Sequence, residues 1–84
     1  MSDWFLYVVE CSDGSLYTGI TKNISRRVHE HNNTGRGAKY TRARRPVKLV
    51  YSVGCNDRSS AGKAEAKFKK LSRREKLEVV NESN

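Results

Sequence analysis

Hydrophobic positions gather from Trp4 to Cys11 and again from Leu16 to Thr21, in two short runs rich in aromatic and β-branched residues. The tetrapeptide Ser12-Asp13-Gly14-Ser15 separates them, so the pattern predicts a β-hairpin. A two-residue Asp13-Gly14 loop would place Tyr7 and Tyr17 on opposite faces. A three-residue Ser12-Asp13-Gly14 loop with Gly14 in the left-handed conformation pairs Val9 with Tyr17 and Tyr7 with Gly19. The second register is the expected one, because it gathers Leu6, Val8, Leu16, Thr18 and Ile20 on one face and both tyrosines on the other.

Beyond the hairpin, Asn23 can cap a helix from Ile24 to His31 or Asn32 whose Ile24 and Val28 face a core, with Arg27 and His31 bordering that stripe one turn apart. Asn32 to Gly37 reads as a loop, and the basic segment Lys39 to Arg45 ends at Pro46. Val47 to Val53 is a third strand. A helix after Ser59 or Ser60 carries Ala61, Ala64, Phe68 and Leu71 along one side, and Ser72-Arg73-Arg74-Glu75 is a capping box opening a last helix with Leu77 and Val80. The order β-β-α-β-α-α gives an α+β fold: a small three-stranded, mainly antiparallel sheet flanked by helices.

Eighty-four residues make one domain, 1–84, too short to enclose a large ligand cavity. Seventeen Lys and Arg against nine Asp and Glu give a net charge of +8, which points toward polyanions. The excess is local: residues 1–21 carry −3, residues 22–48 carry +8 and residues 49–84 carry +3. No apolar run approaches the ~18 residues of a membrane span, and the first residues hold an acid where a secretory signal needs bases. A cytoplasmic protein is expected, without a membrane partner. Cys11 and Cys55 lack the spacing of a disulfide framework and read as reduced, small apolar residues. A zinc site combining them with His29 and His31 is set aside, since two His at i, i+2 on a helix point apart.

Arg36 to Lys48 is the natural seat for a nucleic-acid backbone. Arg36, Lys39, Arg42, Arg44, Arg45 and Lys48 supply charge, the neighbouring glycines supply backbone N–H groups, and Tyr40 offers one stacking ring. The same density of charge also suits a merely solvated basic face. No base-reading element is visible, so sequence specificity should be low.

Leu6-Tyr7-Val8 and Tyr17-Thr18-Gly19 lie ten residues apart. They are followed by Asn23 through His31 with Arg27, by Gly35-Arg36-Gly37-Ala38-Lys39-Tyr40-Thr41-Arg42, and by a helix carrying Glu65. In this combination the chain resembles the GIY-YIG nuclease family over nearly its whole length, and most closely the small single-domain bacterial members. The resemblance implies a GIY-YIG-like fold and hydrolysis of DNA phosphodiester bonds with one divalent cation, Mg²⁺ or Mn²⁺. It further implies an endonuclease selective for structure rather than sequence, serving repair or recombination. RNA is the alternative substrate. A monomer is expected, with room for a protein partner.

The implied catalytic residues are Tyr7, Tyr17, Arg27, His31 and Glu65, and each has a plainer reading beside it. Tyr7 and Tyr17 could orient or deprotonate a water, or simply pack across the strands. Gly19, opposite Tyr7, leaves a gap where nucleic-acid backbone could approach, or marks a bulge. Arg27 offers a planar fork to two phosphate oxygens, or is a solvated charge. His31 can accept a proton, or is an exposed helix-end histidine favoured by the helix dipole. Glu65 is a sufficient ligand for a hydrated Mg²⁺, or half of a surface pair with Lys69. Two positions depart from the family pattern: Ile20 stands where some relatives carry a Lys, and Leu77 and Glu78 stand near where many carry an Asn, for which Asn81 is a substitute. A non-catalytic nucleic-acid-binding module or adaptor on the same fold is the alternative function.

Overall fold

A computed structural model describes residues 3–82, so the outermost residues of the expected 1–84 domain lie outside the described residues. Strand β1 (Trp4–Glu10) turns into β2 (Leu16–Thr21) with Phe5 opposite Thr21, Tyr7 opposite Gly19 and Val9 opposite Tyr17. The three-residue loop is present: Cys11 N–H donates to the Ser15 carbonyl at 2.8 Å, and Gly14 takes a φ of 84°. Gly14 is the one described residue in the left-handed region, where a Cβ would be strained. Asp13 braces the turn by accepting from the Ser15 N–H at 3.0 Å.

Helix α1 (Ile24–Asn33) starts at Asn23, whose side chain accepts from the Arg26 N–H at 3.0 Å. It continues to Asn33, so the first two residues of the expected loop are helical. The basic segment then adds an element the pattern did not announce, the short helix α2 (Lys39–Arg42). Four residues leave no room for an apolar period; what holds this turn is the burial of Thr41, a contact made at long range.

Strand β3 (Lys48–Cys55) pairs antiparallel with β1, giving the order β2-β1-β3. Val8 faces Tyr51 and Val9 faces Leu49, so Val50 is an extra residue, and both Val50 and Tyr51 pack on the same side of the sheet. Helix α3 (Arg58–Lys69) begins earlier than the serine signal suggested. Asp57 is the cap, accepting from the Ser60 N–H at 2.7 Å. Helix α4 (Arg73–Glu82) opens with the expected capping box: Ser72 N–H donates to Glu75 at 2.9 Å, and Glu75 N–H donates back to the Ser72 hydroxyl at 3.2 Å.

The central strand therefore separates two cores. On one side Leu6, Val8 and Phe68 pack with Leu16, Ile20, Tyr51, Ala64 and Leu71. On the other, Tyr7, Val9, Cys11 and Val47 pack with Tyr17, Ile24 and Val28 under α1.

Candidate active site

The second core is where the candidate residues meet. Ile24, Val28 and His31 recur at i, i+4 and i+7, so His31 is carried into the interior with the apolar stripe and is fully buried. The exposed helix-end alternative is thereby overturned. Its Nε2 lies 2.8 Å from the Tyr7 hydroxyl and its Nδ1 lies 2.8 Å from the Thr41 hydroxyl. Burial, aided by the positive charges of Arg27 and Arg45, lowers the His31 pKa to about 4, so the ring is neutral at physiological pH.

Tyr7 is 1% exposed and leans over Gly19. A Cβ built on Gly19 would stand 2.5 Å from the Tyr7 oxygen and 2.8 Å from its Cζ. The gap expected to admit nucleic-acid backbone at Gly19 is therefore filled by Tyr7 itself. Burial raises the Tyr7 pKa; the guanidinium of Arg27 works against that rise, while Tyr17 and Glu65 add to it. The lowered phenol pKa envisaged from sequence does not arise, because removal from water outweighs the arginine.

Arg27 donates to Glu30 at 3.0 Å and to the Arg36 carbonyl at 2.9 Å. Although burial disfavours its charge, Tyr7 and Glu30 hold its pKa above the ordinary value. Its neighbour Arg26 is 70% exposed against 27% for Arg27, as the helix geometry requires. The Tyr17 ring meets His31 edge-on at 5.3 Å and stacks with Tyr40 at 5.9 Å. Arg44 covers the far face of this stack, 3.9 Å from the Tyr40 centroid, and pairs with Asp13 at 3.1 Å.

Glu65 reaches the site from the opposite side of the sheet, on α3, which packs against β1 and β2. It pairs with Lys69 at 3.3 Å and remains 26% exposed, and its charge is felt at Tyr7. The surface pair with Lys69 is therefore present, with part of the carboxylate still open to solvent. Among the described residues no group of three His, Cys, Asp or Glu could close around a metal. The donor set, a single half-buried carboxylate, fits a hydrated hard cation that keeps most of its waters and takes one protein oxygen.

The basic segment divides in two. Arg36, Lys39, Tyr40, Arg42 and Lys48 are exposed. Arg45 is committed inward: its Nε donates to the His31 carbonyl at 2.6 Å and its Nη2 to the Thr34 carbonyl, closing the C-terminal end of α1. With Arg44 engaged by Tyr40 and Asp13, two of the six bases expected to face phosphate are structural clamps.

Sequence reasoning passed over Thr41 and Asn32 here and read Gly37 only as a backbone N–H donor to nucleic acid. Thr41 is fully buried against His31, and its hydroxyl donates to the Ala38 carbonyl at 2.9 Å. Gly37 lies so close to α1 that a Cβ would stand 2.7 Å from the His31 Cα. Asn32 pairs with Val47 like a strand neighbour, donating to its carbonyl at 3.0 Å and accepting from its N–H at 2.6 Å. Only the paired glycines of Gly35-Arg36-Gly37 hinted at any of this. Ile20 belongs to the opposite core and Asn81 is exposed on α4.

Residues 3–78 match the model of the GIY-YIG catalytic domain family. A UPF0213 protein of Desulfotalea psychrophila is 56% identical over 80 residues, covering 95% of this chain and 73% of the relative. One from Streptococcus agalactiae is 54% identical over 78 residues, covering 93% and 88%. The solution NMR structure of a UPF0213 protein from Bacillus halodurans superposes with a TM-score of 0.60 at 42% identity, covering 93% of this chain and 82% of that one. No helix among the described residues is long and apolar enough to cross a membrane. The chain belongs to the GIY-YIG family, and these three relatives carry the UPF0213 name.

Proposed function

We propose that this member of the GIY-YIG family is an endonuclease that hydrolyses DNA phosphodiester bonds with one Mg²⁺ or Mn²⁺. The observation that carries the reading is convergence on a single hydroxyl. His31 lies 2.8 Å from the Tyr7 oxygen, and Arg27 one turn earlier on the same helix, Tyr17 on β2 and Glu65 on α3 each bear on the acidity of that phenol. Perturbed titratable groups gathered in this way mark sites that move protons.

The residues divide the work by exposure. Glu65 would hold the cation, which when bound supplies positive charge to polarise the scissile phosphate. Arg27, partly exposed and permanently charged, has N–H groups left over from Glu30 and Arg36 to stabilise charge developing on the phosphate oxygens. Tyr7 is a neutral phenol at physiological pH, so it can draw a proton from an incoming water only by releasing its own. Neutral His31 is the group placed to take it. Tyr17, half-buried between Tyr40 and His31, orients the imidazole and borders the solvent side of the site. The exposed bases Arg36, Lys39, Arg42 and Lys48 track the backbone with Tyr40 as a stacking ring. Since none of these contacts reads a base, selection is by nucleic-acid structure, as in repair or recombination intermediates. The protein works as a monomer in the cytoplasm, where Cys11 and Cys55 stay reduced.

One observation favours the second reading, a non-catalytic binding module: Arg27 and Glu65 are each already paired, with Glu30 and Lys69. Cleavage of single strands, nicks, flaps and junctions, in DNA and in RNA, with and without Mg²⁺ or Mn²⁺, separates the two. The enzyme reading expects metal-dependent cutting of at least one substrate, lost in Glu65→Gln while binding persists. Arg27→Ala should lose cutting and some affinity, because it meets phosphate in ground and transition states. If no substrate is cut, or Glu65→Gln cuts as fast as wild type, the binding module replaces it.

A further inference from the structure

We infer that Thr41 is a positioning residue whose hydroxyl fixes the Nδ1–H tautomer of His31, so that Nε2 presents its lone pair to Tyr7. The inference deepens the nuclease reading and rests on it for its consequence, whereas the tautomer belongs to the folded chain and is measurable without substrate.

A neutral imidazole has one donor and one acceptor nitrogen, and the partner of one fixes the role of the other. The Thr41 oxygen has a single hydrogen and two close neighbours, the Ala38 carbonyl at 2.9 Å and His31 Nδ1 at 2.8 Å. The carbonyl can only accept, so the hydroxyl hydrogen goes to it. The Thr41 lone pair then faces Nδ1, which must carry the proton. At the other end of the ring the Tyr7 hydroxyl lies 2.8 Å from Nε2, which is then bare and accepts the phenolic hydrogen. All three short contacts are then satisfied in one chain: Tyr7 to His31, His31 to Thr41, Thr41 to Ala38.

The opposite tautomer satisfies as many, but exchanges a short contact for a long one. Nδ1 would accept from Thr41 and, weakly, from the Ala38 N–H at 3.4 Å. The Thr41 and Ala38 oxygens would then face each other at 2.9 Å without a hydrogen. Because Thr41 and His31 are both fully buried, no water is at hand to repair such a mismatch. The consequence for the reaction is a balanced proton path: as water gives a proton to the Tyr7 oxygen, the Tyr7 proton passes to Nε2, leaving hydroxide as the nucleophile and His31 as imidazolium. With the opposite tautomer Nε2 has no lone pair to receive it.

The test is long-range ¹H–¹⁵N correlation of the histidine side chains in the uniformly labelled full chain, with exposed His29 as the second, reference ring. Wild type and Thr41→Ser are expected to show His31 protonated at Nδ1 and bare at Nε2. Thr41→Val, which keeps the shape and removes the hydroxyl, is expected to move the proton to Nε2 in part or whole and to lower kcat about 10- to 100-fold with DNA affinity unchanged. Thr41→Ser should restore most of that rate. Nε2–H in the wild type, an unchanged tautomer in Thr41→Val, or full turnover in a tautomer-switched variant each overturns the inference. Should Thr41→Val fail to fold, the wild-type and Thr41→Ser spectra still decide the tautomer. Nδ1–H in a wild type that cuts nothing would sustain the assignment while removing the nuclease reading.

Discussion

The two sides of the central strand are buried to the same degree from alternate residues of one segment, yet they are made of different matter. Toward α3, Leu6 and Val8 meet Phe68, which lies parallel to Tyr51 at 6.3 Å, in a cluster of apolar and aromatic residues. Toward α1, Tyr7 meets His31, whose other ring nitrogen meets Thr41, and among the described residues no buried side-chain nitrogen or oxygen lacks a partner. The first side contributes through apolar area and tolerates imprecision of orientation. The second holds its groups by direction, so its burial changes acidity and fixes proton positions.

The contrast can be broken first on the apolar side. Phe68→Ala should cost about 3–5 kcal/mol, the largest effect foreseen for any single change, read as a fall in the urea midpoint. In molecules that remain folded, the His31 side-chain resonances should be preserved, because Phe68 touches nothing on the other side.

Acid should break the polar side instead. The unfolded chain takes up a histidine proton near pH 6.5 and the folded chain only near 4, so in that window the unfolded state binds more protons and stability falls as pH falls. The expected loss is on the order of 2–3 kcal/mol between pH 6.5 and 4. His31→Gln, less stable at pH 7, should be nearly flat across the same window. Asp13, Glu30, Asp57 and Glu75 have lowered pKa values, so their contributions are lost at lower pH, below the ordinary carboxylate range. Thermal melts of both proteins at half-unit pH steps check the slope.

A third test addresses what assigns residues to sides. Gly14→Val strains a turn with φ of 84° and should cost more than ~1 kcal/mol in denaturant titrations. The smallest effect on stability belongs to the surface. If about five phosphates are neutralised, log K should fall with log salt at a slope near −4.5, and Lys39→Ala with Arg42→Ala should flatten it by roughly 2 while the melting temperature holds. Arg45→Ala should do the reverse, lowering the melting temperature with little change in slope.

The hairpin register and the partition of its two faces were legible because a single apolar set on one face and both tyrosines on the other arise only with the three-residue loop, and not with the two-residue Asp13-Gly14 turn. The capping box was legible for a similar reason: its four residues carry their own partners. The environment of His31 was not. Arg27 and His31 have the same helical spacing whether they border the core or enter it, and only the packing of α2, itself too short to show a period, closes over the imidazole. Arg44 and Arg45 look like Arg42 in sequence and differ only in what lies opposite them, an aromatic stack and the end of α1. Thr41, Gly37 and Asn32 act across gaps of six to fifteen residues, where local pattern carries no information.

The seat of the Tyr7 ring over Gly19 ties two positions into a single evolutionary choice. Glycine at position 19 is required there by occupied volume, since its own φ is not in the left-handed region. Shortening the tyrosine by one oxygen would not release it, because Cζ at 2.8 Å and Cε1 at 2.9 Å would still exclude a methyl group. Gly19→Ala should therefore be nearly as crowded in a Tyr7→Phe background as in the wild type, and only an aliphatic residue at position 7 would admit a side chain at position 19. Any lineage that acquires a larger residue at position 19 must first surrender the aromatic ring at position 7, and with it the hydroxyl that His31 holds.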